Sequence, residues 1–146
     1  MNKLFKTNEN TAATIIRIVL GAILFPHGAQ KLLGWFGGYG FDGTMGFLTG
    51  TAGLPWIIAF LVIIIEFFGA LALIFGFATR IVATGVILLF AGILLMHLQN
   101  GFFMNWNGQQ AGEGFEYHLL VIGMSLALLV SGAGKWSIDY ALQKKS

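Results

Sequence analysis

Four long apolar runs dominate the chain. From Thr11 to Leu33 the residues are mainly apolar, broken by Arg17 and, near the end, by His27, Gln30 and Lys31. A second run, Pro55 to Gly76, carries Glu66 at its centre; a third spans Thr79 to Leu98 and a fourth Glu116 to Gly132. Period-2 alternation is absent, and unbroken apolar stretches satisfy their backbone groups in lipid only as helices. At ~1.5 Å per residue each run crosses, or nearly crosses, a hydrocarbon core of about 30 Å. The pattern predicts an all-α fold, a four-transmembrane-helix bundle forming a single domain over 1–146, with helices at about 11–33, 55–76, 79–98 and 116–132. Pro55 suits a helix start, where its missing N–H would be unpaired anyway.

The connections add topology. Residues 77–78 leave room only for a tight turn, so the second and third helices are expected to be antiparallel neighbours. Segments 34–54 and 99–115 are long, rich in Gly and aromatic residues, and expected to fold back onto the bundle. Phe41, Met45 and Leu48 fall at helical spacing, predicting a short interfacial helix. Gly34, Gly37, Gly38 and Gly40 lack the preceding strand and following Lys-Ser/Thr of a phosphate cradle. Gly21 and Gly28, Gly69 and Gly76, and Gly85 and Gly92 are spaced by seven residues, which puts each pair on one helix face and allows close backbone approach.

Composition agrees. With 57% hydrophobic and 10% charged residues and a mean hydropathy of +0.81, the chain has too little polar surface to cover a water-soluble globule. Arg17 inside the first run, and the comparable runs that follow, favour a retained helix over a signal peptide. The basic residues form no stripe with interleaved aromatics, which argues against a nucleic-acid partner. Lys3, Lys6, Arg17, Arg80, Lys135, Lys144 and Lys145 fall on one side of the expected topology and Lys31 on the other, placing both termini in the cytoplasm. There is no cysteine, so thiolate redox, iron–sulfur and thiolate-zinc chemistry are closed to this polypeptide.

Candidate chemistry reduces to a few polar side chains in apolar surroundings, each costing roughly 2.5–3.5 kcal/mol at a helix centre. Counted from the cytoplasmic helix ends, Arg17 lies about five and Glu66 about ten residues deep, ~7–8 Å apart at 1.5 Å per residue. Arg17 and Glu66 are therefore expected as an intramembrane polar pair, either ion-paired or with Arg17 snorkelling and Glu66 protonated, against Glu66 as a proton or ligand site. At the other end His27, Gln30, Lys31, His97, Asn100, Glu116, Tyr117 and His118 can converge on one mouth as ligand-binding candidates. No HExxH-type spacing supports a metal site, and His27 and His97 differ too much in depth to share a haem iron. A quinone, with His or Tyr at its oxygens and aromatics around its ring, is the cofactor candidate against plain interfacial histidines.

The order of short motifs resembles the DoxX family over nearly the whole chain. Arg17-Ile-Val-Leu-Gly21, Phe25-Pro26-His27-Gly28, Gln30-Lys31-Leu32 and Gly34-Trp35-Phe36-Gly37-Gly38 are similar to its opening. Gly53-Leu54-Pro55, Glu66 with Gly69, Gly76 with Thr79-Arg80, His97-Leu98 with Asn100-Gly101-Phe102-Phe103, Gly114-Phe115-Glu116-Tyr117 and Trp136-Ser137-Ile138-Asp139 are similar to its later signatures. The resemblance implies a four-helix membrane protein described as an oxidoreductase subunit, associated with quinone-linked enzymes and other redox subunits. The expectation is therefore a redox-associated accessory subunit of the bacterial inner membrane that binds quinone or a similar small apolar ligand. Its rivals are a proton-coupled small-solute transporter and a scaffold recruiting soluble enzymes. Whether the chain is catalytic by itself, or forms a homo-oligomer, is left open.

Overall fold

The computed structural model describes residues 5–144 and, among them, is all-helical. Lys3 and Lys145, counted above for orientation, lie outside the described residues. Helix α1 (Thr11–Leu33) starts where the Asn10 side chain accepts the free N–H groups of Ala12 and Ala13 at 2.9 and 3.3 Å, and ends at Gly34, whose φ of 72° is open to glycine. Pro26 lies inside α1. The next segment folds back as α2 (Gly40–Gly46), continued by a wide turn Phe47–Thr51, and seats Phe41, Met45 and Leu48 against Leu32, Ala59 and Ile63.

Helix α3 (Trp56–Phe75) runs antiparallel to α1 and stops at Gly76 (φ 69°). After the turn, α4 (Thr79–His97) begins with its first N–H groups held by a distant residue: Ala78 and Thr79 donate to the buried carboxylate of Asp139 at 2.8 and 2.9 Å. Asp139 belongs to α6 (Ile138–Lys144), which follows α5 (Glu116–Ser131). The helices α1, α3 and α4 are long and apolar enough to cross a membrane; α5, at 16 residues, spans ~24 Å at 1.5 Å per residue.

Helix α1 packs on α3 and α5, and α4 packs chiefly on α5. The core between them is built from Leu20, Leu24, Leu73, Val86, Phe90 and Leu128. Large apolar side chains such as Ile57, Phe68, Leu88, Leu95, Leu120 and Val130 point outward. That outer surface is what a bundle solvated by lipid presents. Gly21 and Gly28 both meet α3 backbone, whereas Gly92 faces open space. Helices α3 and α4, neighbours at their shared turn, diverge enough to leave apolar clefts between them.

Candidate functional site

Glu66 lies in a π-helical turn, Ile65–Gly69, midway along α3. Such turns widen the helix locally and recur at functional sites. Across from it, Gly28 lets α1 come so close that a β-carbon there would lie 2.5 Å from the Glu66 carbonyl. Three residues on, Lys31 extends from the same face of α1, and its Nζ stands 2.5 Å from Glu66 Oε2. The carboxylate is almost wholly buried; the lysine is partly exposed.

The expected Arg17–Glu66 pair does not form. Arg17 is fully buried and donates from Nη1 to the carbonyls of Leu73 and Ile74 (2.7 and 2.5 Å), from Nε to Ala133 (2.9 Å), and from Nη2 to Trp136 (3.2 Å) and Lys135 (3.5 Å). The reason is register. Gly21 of α1 opposes Ala70 and Ile74, and the Arg17 guanidinium reaches Gly76, so the start of α1 and the end of α3 are not level. Arg17 therefore sits about ten residues, ~15 Å at the helical rise, below Glu66.

The Lys31–Glu66 pair borders a cavity of about 230 Å³ to which all four long helices contribute. Its polar walls are His27 and Lys31 from α1, Glu66 from α3, His97 from α4, and Tyr117 and His118 from α5. Leu24, Phe90 and Ile93 complete the lining. The His97 and His118 rings lie 4.8 Å apart, tilted by 36°, and Phe90 approaches both Tyr117 and His118. His97 Nδ1 is 2.8 Å from the Ile93 carbonyl. A carbonyl only accepts, so this nitrogen carries the proton and leaves Nε2 of the neutral ring with its lone pair. The Tyr117 hydroxyl is buried with no hydrogen-bond partner, and so is His118 Nδ1, although the carbonyls of Gly114 and Phe115 lie beside that ring. Unused polar capacity of this kind requires explanation in a buried setting.

Gln30, Asn100 and Glu116, predicted at the mouth, turn elsewhere, as does Arg80. Gln30 donates to the Phe36 carbonyl at 3.3 Å and lines a neighbouring vestibule. Asn100 donates to the Glu113 carbonyl at 2.9 Å, and Glu116 accepts from Trp106 Nε1 at 3.3 Å, both bracing segment 99–115. Arg80 donates to the carbonyls of Lys6 and Val130. Phe90, Ile93 and Leu24 were absent from the sequence candidates, yet Leu24, His27 and Lys31, like Phe90, Ile93 and His97, follow one i, i+3, i+7 stripe. Among the described residues no three His, Asp or Glu side chains form a group able to hold a metal ion.

These features define an all-helical membrane protein with a polar cavity set among the helices of its apolar bundle. The DoxX family model matches residues 12–99, and the chain belongs to the DoxX family. It is 33% identical over 129 residues to the Bacillus subtilis (strain 168) protein named "Putative oxidoreductase CatD", covering 88% of this chain and 83% of that one. It is 31% identical over 142 residues to "Inner membrane protein YqjF" of Escherichia coli (strain K12), covering 96% and 98% respectively. No solved structure matches it.

Proposed function

We propose that this chain is a four-pass protein of the bacterial inner membrane, with its basic side and both ends of the described chain facing the cytoplasm, that binds the ring of a quinone as an accessory subunit of a membrane oxidoreductase. The observation that carries the reading is the buried, unpartnered hydroxyl of Tyr117, a residue lining a cavity to which His97 and the Lys31–Glu66 pair also contribute. A bound quinone would accept and release electrons and protons on its ring oxygens. Tyr117 would donate a hydrogen bond to one ring oxygen, His97 Nε2 would take up a proton from the hydroxyl of the quinol form at the other, and Phe90 would cover the ring face. Glu66, held by Lys31, is the buried carboxylate through which a proton leaves. Protons leave the ring only as a quinol is oxidised, so the two electrons given up with them would pass to another subunit of the oxidoreductase. Basic residues on one side support the orientation, and the names of the two relatives support the membrane and the redox association.

The test is purification in lipid nanodiscs, extraction with organic solvent, and titration of the emptied protein with quinone. Quinone in the extract, and binding weakened by Tyr117→Phe, is the expected result. An extract without quinone, together with no binding on titration, overturns the reading. The transport rival is decided by the same preparation in liposomes, where proton-coupled solute uptake lost in Glu66→Gln would displace the redox reading.

A further inference from the structure

A vestibule of about 270 Å³ lies beside the cavity, with Gln30 and Lys31 on its wall together with Tyr39, Thr44, Phe47 and Leu48 of the folded-back segment. Lys31 lines both spaces. The two apolar clefts between α3 and α4, about 370 and 240 Å³, share no lining residue with the cavity. On the lipid side the path stops at Ile65 and Leu89, whose chain neighbours Glu66 and Phe90 line the cavity. Between vestibule and cavity stands Lys31, a flexible four-carbon side chain, partly exposed and carrying a charge that water solvates readily.

We propose that the vestibule is the aqueous entrance to the cavity, that Lys31 is its gate, and that the molecule admitted is a small, water-soluble single-ring compound without a long apolar tail. The ring itself rests on the quinone reading; the entrance does not. When the ammonium swings from Glu66 into the vestibule, a solute passes into a 230 Å³ space that holds a single ring. An isoprenoid tail trailing from such a ring would have to pass the polar groups of Lys31, Gln30 and Thr44 before it met Tyr39, Phe47 and Leu48.

Because the chain lacks cysteine, an introduced one reports unambiguously. In nanodiscs, a charged water-soluble methanethiosulfonate reagent is expected to label Leu48→Cys in the vestibule quickly, Ile93→Cys in the cavity slowly, and Val82→Cys in the cleft not at all. Adding Lys31→Ala with Glu66→Gln, which removes the gate without stranding a charge, should speed labelling of Ile93→Cys on the order of tenfold by raising the open fraction. Lys31→Met with Glu66→Gln, which keeps the stem and likewise strands no charge, should label Ile93→Cys more slowly than the Lys31→Ala pair. In the cysteine-free chain a tail-less benzoquinone should bind, and an isoprenoid quinone should not displace it. The entrance is overturned if Ile93→Cys labels equally fast with and without the Lys31 side chain, or if Val82→Cys labels as fast as Leu48→Cys. Displacement by the isoprenoid quinone overturns the tail-less class. If the labelling pattern holds but no quinone binds, the quinone reading falls, the assignment of the ring falls with it, and the entrance stands.

Discussion

Gly28 rides directly on the backbone of Glu66: a β-carbon at 28 would stand 2.5 Å from the carbonyl carbon and oxygen of Glu66 and from the Phe67 Cα. None of these is a flexible side-chain end, so a methyl group can be admitted only by moving α1 away from α3. Gly28→Ala is expected to destabilise the bundle by about 1–3 kcal/mol, the usual cost of overpacking. Gly92→Ala, at a position with nothing within 4 Å, should be neutral or slightly stabilising. Thermal unfolding in detergent compares the two, and equal effects would refute the close approach.

Arg17 joins the end of α3 to the segment before α6, using its planar fork against carbonyls from both. Lysine offers a single point charge and cannot reach them together. Arg17→Lys should therefore lose about 2–3 kcal/mol, and Arg17→Ala more, because buried carbonyls are left unpaired. Limited proteolysis is the sharper readout. Cleavage after Lys135 should appear in both variants before the rest of the bundle is touched.

The long helices are legible because lipid leaves an apolar run few alternatives to a helix, and the histidine-rich mouth follows from the same topology. Vertical register is not legible. Which turn of α1 meets which turn of α3 is decided by Gly21 against Ala70 and Gly28 against Glu66, and by a π turn with no sequence period. An error of about one and a half turns changed the partner of Glu66 from Arg17 to Lys31. Spacing also names a helix face without saying what lies nearest to it. Gln30 and Glu116 sit close to Lys31 and Tyr117 in sequence, yet Phe36 and Trp106 of the adjoining loops engage them first.

The Lys31–Glu66 contact is close to buried, so removing one partner strands the other. Lys31→Met and Glu66→Gln are each expected to cost about 3 kcal/mol, and the double variant less than their sum, the behaviour of a buried ion pair. A double-mutant cycle on unfolding free energies decides it. Additive losses would mean that the two side chains do not interact in solution.

At the other end of the molecule, Glu9 accepts a hydrogen bond from the Tyr140 hydroxyl and lies 3.8 Å from Lys135. The Tyr140 bond first, and Lys135 second, hold its carboxyl below the ordinary value. A depressed carboxyl stabilises the fold above its unfolded pKa, and that contribution fades as pH falls through the folded value. Because Glu9 is fully exposed the effect is small. Acidification to below about pH 4 should loosen α6 slightly in the parent and not at all in Glu9→Gln, measured by amide exchange across Ile138–Lys144.

Tyr117 separates a binding role from a structural one. Its hydroxyl is buried without a partner, so the fold already bears the cost of desolvating it and gains no hydrogen bond in return. Tyr117→Phe keeps the ring packing against Phe90 and should leave unfolding temperature unchanged or slightly raised. If the hydroxyl serves a ring oxygen of the ligand, the same substitution should weaken quinone binding by roughly tenfold, the equivalent of about 1.4 kcal/mol for one lost hydrogen bond. A structural hydroxyl would give the opposite pattern, lower stability and unchanged affinity. Measuring both quantities on one preparation therefore tells the two roles apart.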